Sequence, residues 1–212
     1  QILAASGMAV VREFLATNAD EAAVFAAAIE GPVVLKIVSP DIQHKTEIGG
    51  VIVGKKGAEQ VRDGFKALIL RAKESVPGAQ IDGVAVAEMV TGGVETVIGV
   101  KNDPTFGPVV IFGLGGIFIE IMKDVTCRLA PFGVDEAARM IREIRSFEVL
   151  TGFRGGTAVD LKGLAETLAL VSAFAVENAE QIESLDINPY VVLPRGGKVL
   201  DALILQRAQS NL

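Results

Sequence analysis

The 212 residues are half apolar and carry 20 basic against 26 acidic side chains, a net charge of −6 with an isoelectric point near 4.9. That balance, with one tyrosine and no tryptophan to stack on bases, argues against a nucleic-acid-binding surface. It also offers no membrane span, because the best apolar stretch, residues 109–122, is broken by three glycines and Glu120 before reaching the roughly 18 residues required.

The amino end, Gln1-Ile-Leu-Ala-Ala-Ser-Gly7, has neither the basic stretch of a secretory signal nor an initiator methionine, so a segment of a longer polypeptide is expected. Residues 2–6 read as a helix end stopped by Gly7, and residues 8–15 as a strand. Asn18 or Asp20 can cap an alanine-rich helix running to Glu30. Residues 33–38 are short, β-branched and bounded by prolines, which predicts a buried strand with Lys36 at its middle. A lysine there needs a phosphate oxygen or a carboxylate as partner. A loop of about ten residues follows, longer than most connections, with His44 near its tip and the Gly49-Gly50 pair at its end. Residues 51–53 are a strand, 58–72 an amphipathic helix with Val61, Phe65, Leu68 and Leu70 as its apolar side, and 81–90 a strand.

Thr91-Gly92-Gly93 is the expected boundary between lobes at residues 1–90 and 91–212. Beyond it, strands at 94–100, 109–112, 117–122 and 125–129, joined by short glycine, proline and aspartate turns, imply an antiparallel sheet. Helices at 135–144 and 160–177 and strands at 182–187, 190–193 and 199–205 complete an α/β chain. The lone Cys127 excludes an internal disulfide and is compatible with a reducing, cytoplasmic setting.

Asp186 and Asn188 are two apart in an extended run and so share a face, roughly 7 Å apart. With residues 194–197 as a hairpin loop, Tyr190 opposes Asp201 and Asp201 becomes a diagonal neighbour of Asn188. Two carboxylates and an amide oxygen are hard ligands of the kind magnesium takes. The plainer reading is a polar turn entering a hairpin, in which Pro189 demands an edge or an irregularity. Glu88, Met89 and Val90 end a strand at the lobe boundary, where backbone groups could meet a base and Glu95 a ribose; an ordinary hairpin with exposed acids fits as well. His44 is either a solvated loop histidine or a nucleophile that accepts a phosphoryl group. Phe112-Gly-Leu-Gly-Gly-Ile117 is not a dinucleotide fingerprint, its spacing being wrong and no helix following.

Several of these pieces together carry a resemblance. They are residues 33–51, Gly93-Val-Glu95, residues 99–108, Gly113-Leu-Gly-Gly116 with Glu120, Arg128-Leu-Ala-Pro131, Gly152-Phe-Arg-Gly155 and Leu185-Asp-Ile-Asn-Pro189. In that order the chain resembles the ATP-grasp domain of ADP-forming acyl-CoA synthetases, the family that includes ADP-forming acetate-CoA ligases. The resemblance implies an ATP-grasp fold of two lobes clasping Mg-ATP or Mg-ADP, and the reaction of acyl-CoA, ADP and phosphate to acid, CoA and ATP through phosphohistidine carriers. It implies Lys36, Gly49 and Gly50 at the phosphates, Glu88, Met89 and Val90 at the base, and Glu95 beside the nucleotide. It further implies Asp186, Asn188 and Asp201 at the metal, with His44 as the carrier. Ser184 stands where the family often has an acid. No CoA-binding domain is present, so a CoA-binding subunit or fused domain is implied as partner. A succinyl-CoA-synthetase-like β subunit, or a non-catalytic ATP/ADP-sensing domain fused to a regulatory protein or acetyltransferase, would share the binding residues.

Overall fold

The structure, a computed structural model, describes residues 2–42, 45–116, 123–152 and 155–207. It divides into two compact units, Val11–Thr91 and Gln1–Val10 with Gly92–Leu212. Each has its own cluster of buried apolar side chains.

In the first unit, strands β1 (Glu13–Ala16), β2 (Val33–Val38), β3 (Val51–Lys55) and β4 (Gly83–Glu88) form an antiparallel sheet in the order β1-β4-β2-β3. Helices α2 (Ala19–Ala27) and α3 (Ala58–Ser75) supply its other apolar surfaces. Asn18 starts α2, its side-chain oxygen accepting the N–H groups of Asp20 and Glu21. Helix α2 stops at Ala27, short of Glu30. On α3, Val61, Phe65, Leu68 and Ala72 are buried, at helical spacing. Leu70, expected among them, is 57% exposed, since it sits two residues past Leu68 and about 200° further round the helix.

In the second unit, β5 (Val94–Asp103), β6 (Gly107–Leu114), β7 (Val125–Leu129), β8 (Ile182–Val192), β9 (Gly197–Val199) and β10 (Ala202–Gln206) make an antiparallel sheet in the order β10-β8-β5-β6-β7, with β9 also on β8. Helices α4 (Val134–Arg142) and α5 (Leu161–Glu177) pack on each other and bury their apolar sides in the same core as the sheet's Ile98, Phe112 and Ile187. A 3-10 turn, Phe147–Thr151, had no signal in the sequence; it buries Leu150. The strand expected at 117–122 lies outside the described residues.

The first ten residues correct the expected 1–90 lobe. After the short helix α1 (Ile2–Ala5), Leu3 and Met8 are buried in the second unit's core. Val10 bridges Val199, and the Val199 N–H donates to the Ala9 carbonyl. The strand expected at 8–15 therefore shrinks to β1.

Candidate functional site

Lys36 lies at the centre of β2, between Val51 of β3 and Ala85 of β4. Val33, Leu35 and Ile37 point into the core, so the lysine takes the opposite face. Its side chain is only 12% exposed, and its ammonium lies 3.6 Å from the Glu13 carboxylate. The partner that the sequence demanded is thus present as a carboxylate from β1. The sequence gives no sign of Glu13 in this role, because nothing local couples β1 to β2 across β4.

The glycine pair closes the loop back onto this strand. Gly50 donates to the Lys45 carbonyl at 2.7 Å and accepts from the Ile37 N–H at 2.8 Å. A Cβ on Gly50 would fall 2.7 Å from the Lys45 oxygen and 2.8 Å from Ile37, so a side chain is excluded by the chain's own packing. Gly49 has φ +63°, and its carbonyl accepts from the Arg71 guanidinium. His44 lies outside the described residues.

At the end of β4, the Glu88 N–H donates to the Arg12 carbonyl while its carboxylate accepts the Arg12 N–H. The Met89 N–H donates to the Pro32 carbonyl at 3.3 Å. Two of the three amides expected to face a base are therefore engaged in holding the strand end. Val90 is the one whose N–H makes no hydrogen bond among the described residues. In the second unit Glu95 is exposed on β5, and its carbonyl accepts the Gly115 N–H.

The acidic residues come together on β8 and the strand returning beside it. Leu185 and Ile187 are buried and Asp186 and Asn188 exposed, so the last two share the open face. The hairpin register differs from the expected one by two residues. Val192 pairs with Gly197 and Tyr190 with Val199, closing a loop of residues 193–196 in which the Leu193 N–H donates to the Gly196 carbonyl. The cause is Gly197, which packs against Tyr190 so closely that a Cβ would lie 2.5 Å from the phenol oxygen. Asp201 then stands directly opposite Asn188, whose N–H donates to the Asp201 carbonyl at 3.1 Å, and diagonally across from Asp186.

Protein around the Asp186 carboxyl, and then the negative charge of Asp201, push its pKa above the ordinary carboxylate range. Two acids held together with an amide oxygen beside them form a hard-oxygen set that a divalent cation would stabilise. No group of three or more His, Cys, Asp or Glu suited to a metal occurs among the described residues, so the set is two carboxylates and Asn188.

Pro189 carries the irregularity that its missing N–H demands. Against β5, Ile187 pairs with Ile98 but Tyr190 with Thr96, so β8 has one extra residue there. Before the bulge Leu185 and Ile187 are buried, and after it Tyr190, Val191 and Val192 are. Asp160, the cap of α5, ties down the far end of the hairpin by accepting the N–H groups of Gly163 and Gly196.

A groove of about 360 Å³ on the first unit lies between the start of α2 and α3, lined by Asn18, Phe65, Lys66, Ile69, Leu70 and Lys73 among others. It includes none of the expected site residues.

A family profile described as "ATP-grasp domain" matches residues 1–205. The chain is 40% identical over 205 residues to the acetate–CoA ligase [ADP-forming] I subunit beta of Pyrococcus furiosus, covering 97% of this chain and 88% of that one. It is 40% identical over 200 residues to acetate–CoA ligase [ADP-forming] I of Archaeoglobus fulgidus, covering 94% of this chain but 29% of the longer protein. Among solved structures, the dinucleotide-forming acetyl-coenzyme A synthetase 1 of Ca. Korarchaeum cryptofilum, in complex with coenzyme A, Ca-AMPCP and HgCl+, superposes with a TM-score of 0.94. The two are 42% identical, and the match covers 97% of this chain and 90% of that one.

Proposed function

The chain belongs to the ATP-grasp family, and on that footing we propose that it is the nucleotide-binding, phosphoryl-transferring part of an ADP-forming acyl-CoA synthetase. The assembled enzyme would interconvert acyl-CoA, ADP and phosphate with acid, CoA and ATP. The observation that carries the reading is the shared face of Asp186, Asn188 and Asp201, a hard-oxygen set on the unit's open sheet face. Magnesium held there would neutralise phosphate charge. Lys36, on its β strand, adds a cation for the phosphates, and the Val90 N–H, which makes no hydrogen bond among the described residues, is offered to the base. His44 takes the phosphoryl group: an imidazole nitrogen attacks the γ-phosphorus of ATP, the bond to the bridging oxygen breaks, and ADP leaves with that electron pair.

The chain spans 29% of the Archaeoglobus relative and 88% of the Pyrococcus β subunit. A CoA-binding partner, fused or separate, is therefore part of the proposal, and the acid and CoA would be handled by it. No helix among the described residues is long and apolar enough to cross a membrane, and the exposed free thiol of Cys127 suits a reducing cytoplasm.

Incubation with magnesium and γ-labelled ATP should place an acid-labile, base-stable label on the chain, lost in His44→Ala. Nucleotide binding with no label would favour a sensing module. Failure to bind either ATP or ADP would remove the reading altogether.

A further inference from the structure

The groove between the start of α2 and α3 has an apolar floor and a basic rim. Phe65, only 7% exposed, belongs to the buried cluster of the first unit, and Ile69 and Ala19 pack against that cluster. The floor is therefore an outward continuation of a close-packed core. Beside it on α3 stand Lys66, Leu70 and Lys73, a single stripe of the helix at spacings of four and three residues, with the two lysines about 10 Å apart along the axis. Leu70, between them, is 57% exposed.

The charge of the groove is opposite to that of the chain. Among the described residues, the charged groups lining it are two lysines, on a protein whose net charge is −6. The acids in the first turn of α2 are engaged: Asp20 pairs with Arg62 at 2.7 Å, and Glu21 accepts the N–H and O–H of Thr17. Neither Lys66 nor Lys73 has a carboxylate partner among the described residues. An apolar floor between two such ammonium groups complements an amphipathic helix whose apolar side is flanked by acids. It suits a bilayer poorly, because the surface is concave and the net charge of the protein opposes an anionic lipid face.

We propose that this groove docks an acidic amphipathic helix of a partner protein. Its apolar side chains lie against Phe65, Ile69 and Leu70, and two of its carboxylates, seven residues apart, meet Lys66 and Lys73. The inference goes beyond the nucleotide chemistry proposed above and does not depend on it.

A fluorescein-labelled synthetic peptide of about 18 residues, long enough to form helix, tests it by anisotropy against the full chain. The peptide carries leucines on one face, flanked by glutamates seven apart. The expected result is saturable binding that weakens at least tenfold in Leu70→Glu and in Lys66→Glu/Lys73→Glu, with melting temperatures unchanged because all three side chains are exposed. The double variant should in turn prefer the same peptide with lysines in place of the glutamates. No binding of the acidic peptide by the unmodified chain, or binding indifferent to these substitutions, would overturn the inference. Sedimentation showing a dimer that Leu70→Glu dissociates would overturn it in favour of a second copy of the chain. Lysine-dependent binding to phosphatidylserine vesicles in preference to the peptide would overturn it in favour of a membrane.

Discussion

Asp186 is the residue where electrostatics and chemistry meet. Its pKa is raised, first by the surrounding protein and then by Asp201, so the folded state without a cation holds the proton more tightly than the unfolded chain. The stabilising contribution of this group is present at low pH and lost as pH rises through the raised value. Asp186→Asn should therefore raise the melting temperature of the magnesium-free protein at neutral pH while removing most of the extra stabilisation by Mg-ADP. A fall in both would count against the site. Because a cation binds the ionised carboxylate, magnesium affinity should decline on acidification from a higher pH than an ordinary carboxylate would give, which a calorimetric titration series reads directly. Lys36 makes the complementary case in the first unit. Its ion pair with Glu13, half exposed at the carboxylate end, contributes at most about 1 kcal/mol to stability. Lys36→Met should leave the melting temperature nearly unchanged yet weaken ATP binding by about tenfold or more, equivalent to about 1.4 kcal/mol.

At the scale of elements, turns and registers are set by contacts with no local signature. The strand and helix order of both units follows from apolar periodicity and caps such as Asn18, and it could be read along the chain. The pairing of the last hairpin could not, because its register depends on Gly197 meeting the ring of Tyr190, a contact across strands. The expected face-sharing of Asp186 and Asn188 follows from strand period alone, whereas the place of Asp201 moved with the register. The loop before β3 shows the same dependence. Gly50 leaves room for a phosphate on the sequence reading, and the Lys45 carbonyl and Ile37 independently exclude a side chain there. Gly50→Ala should accordingly destabilise the protein by about 1–3 kcal/mol through overpacking, seen as a lower urea midpoint at unchanged slope. Loss of nucleotide affinity without loss of stability would instead support a role at the phosphates.

For the whole molecule, the separation into two cores matters more than the boundary residue. Thr91-Gly92-Gly93 is legible because glycines with positive φ relieve the chain between strands. The return of residues 2–10 to the second unit is not, since Leu3 and Met8 look like any apolar residues until Val10 is seen beside Val199. The two buried clusters share no residue, so a cavity in one removes packing from that cluster alone. Leu68 is fully buried on α3 in the smaller cluster, and Leu68→Ala should cost about 2–5 kcal/mol. Native-state hydrogen exchange should then show lost protection in Val11–Thr91, while β5, β6 and β8 keep theirs, if the units open independently. Leu168→Ala, fully buried on α5 in the larger cluster, should give the converse pattern. Equal loss of protection in both units from either variant would mean that the chain unfolds as one cooperative body. A mutation in either core would then weaken nucleotide binding through global stability as well as through the side chains at its site.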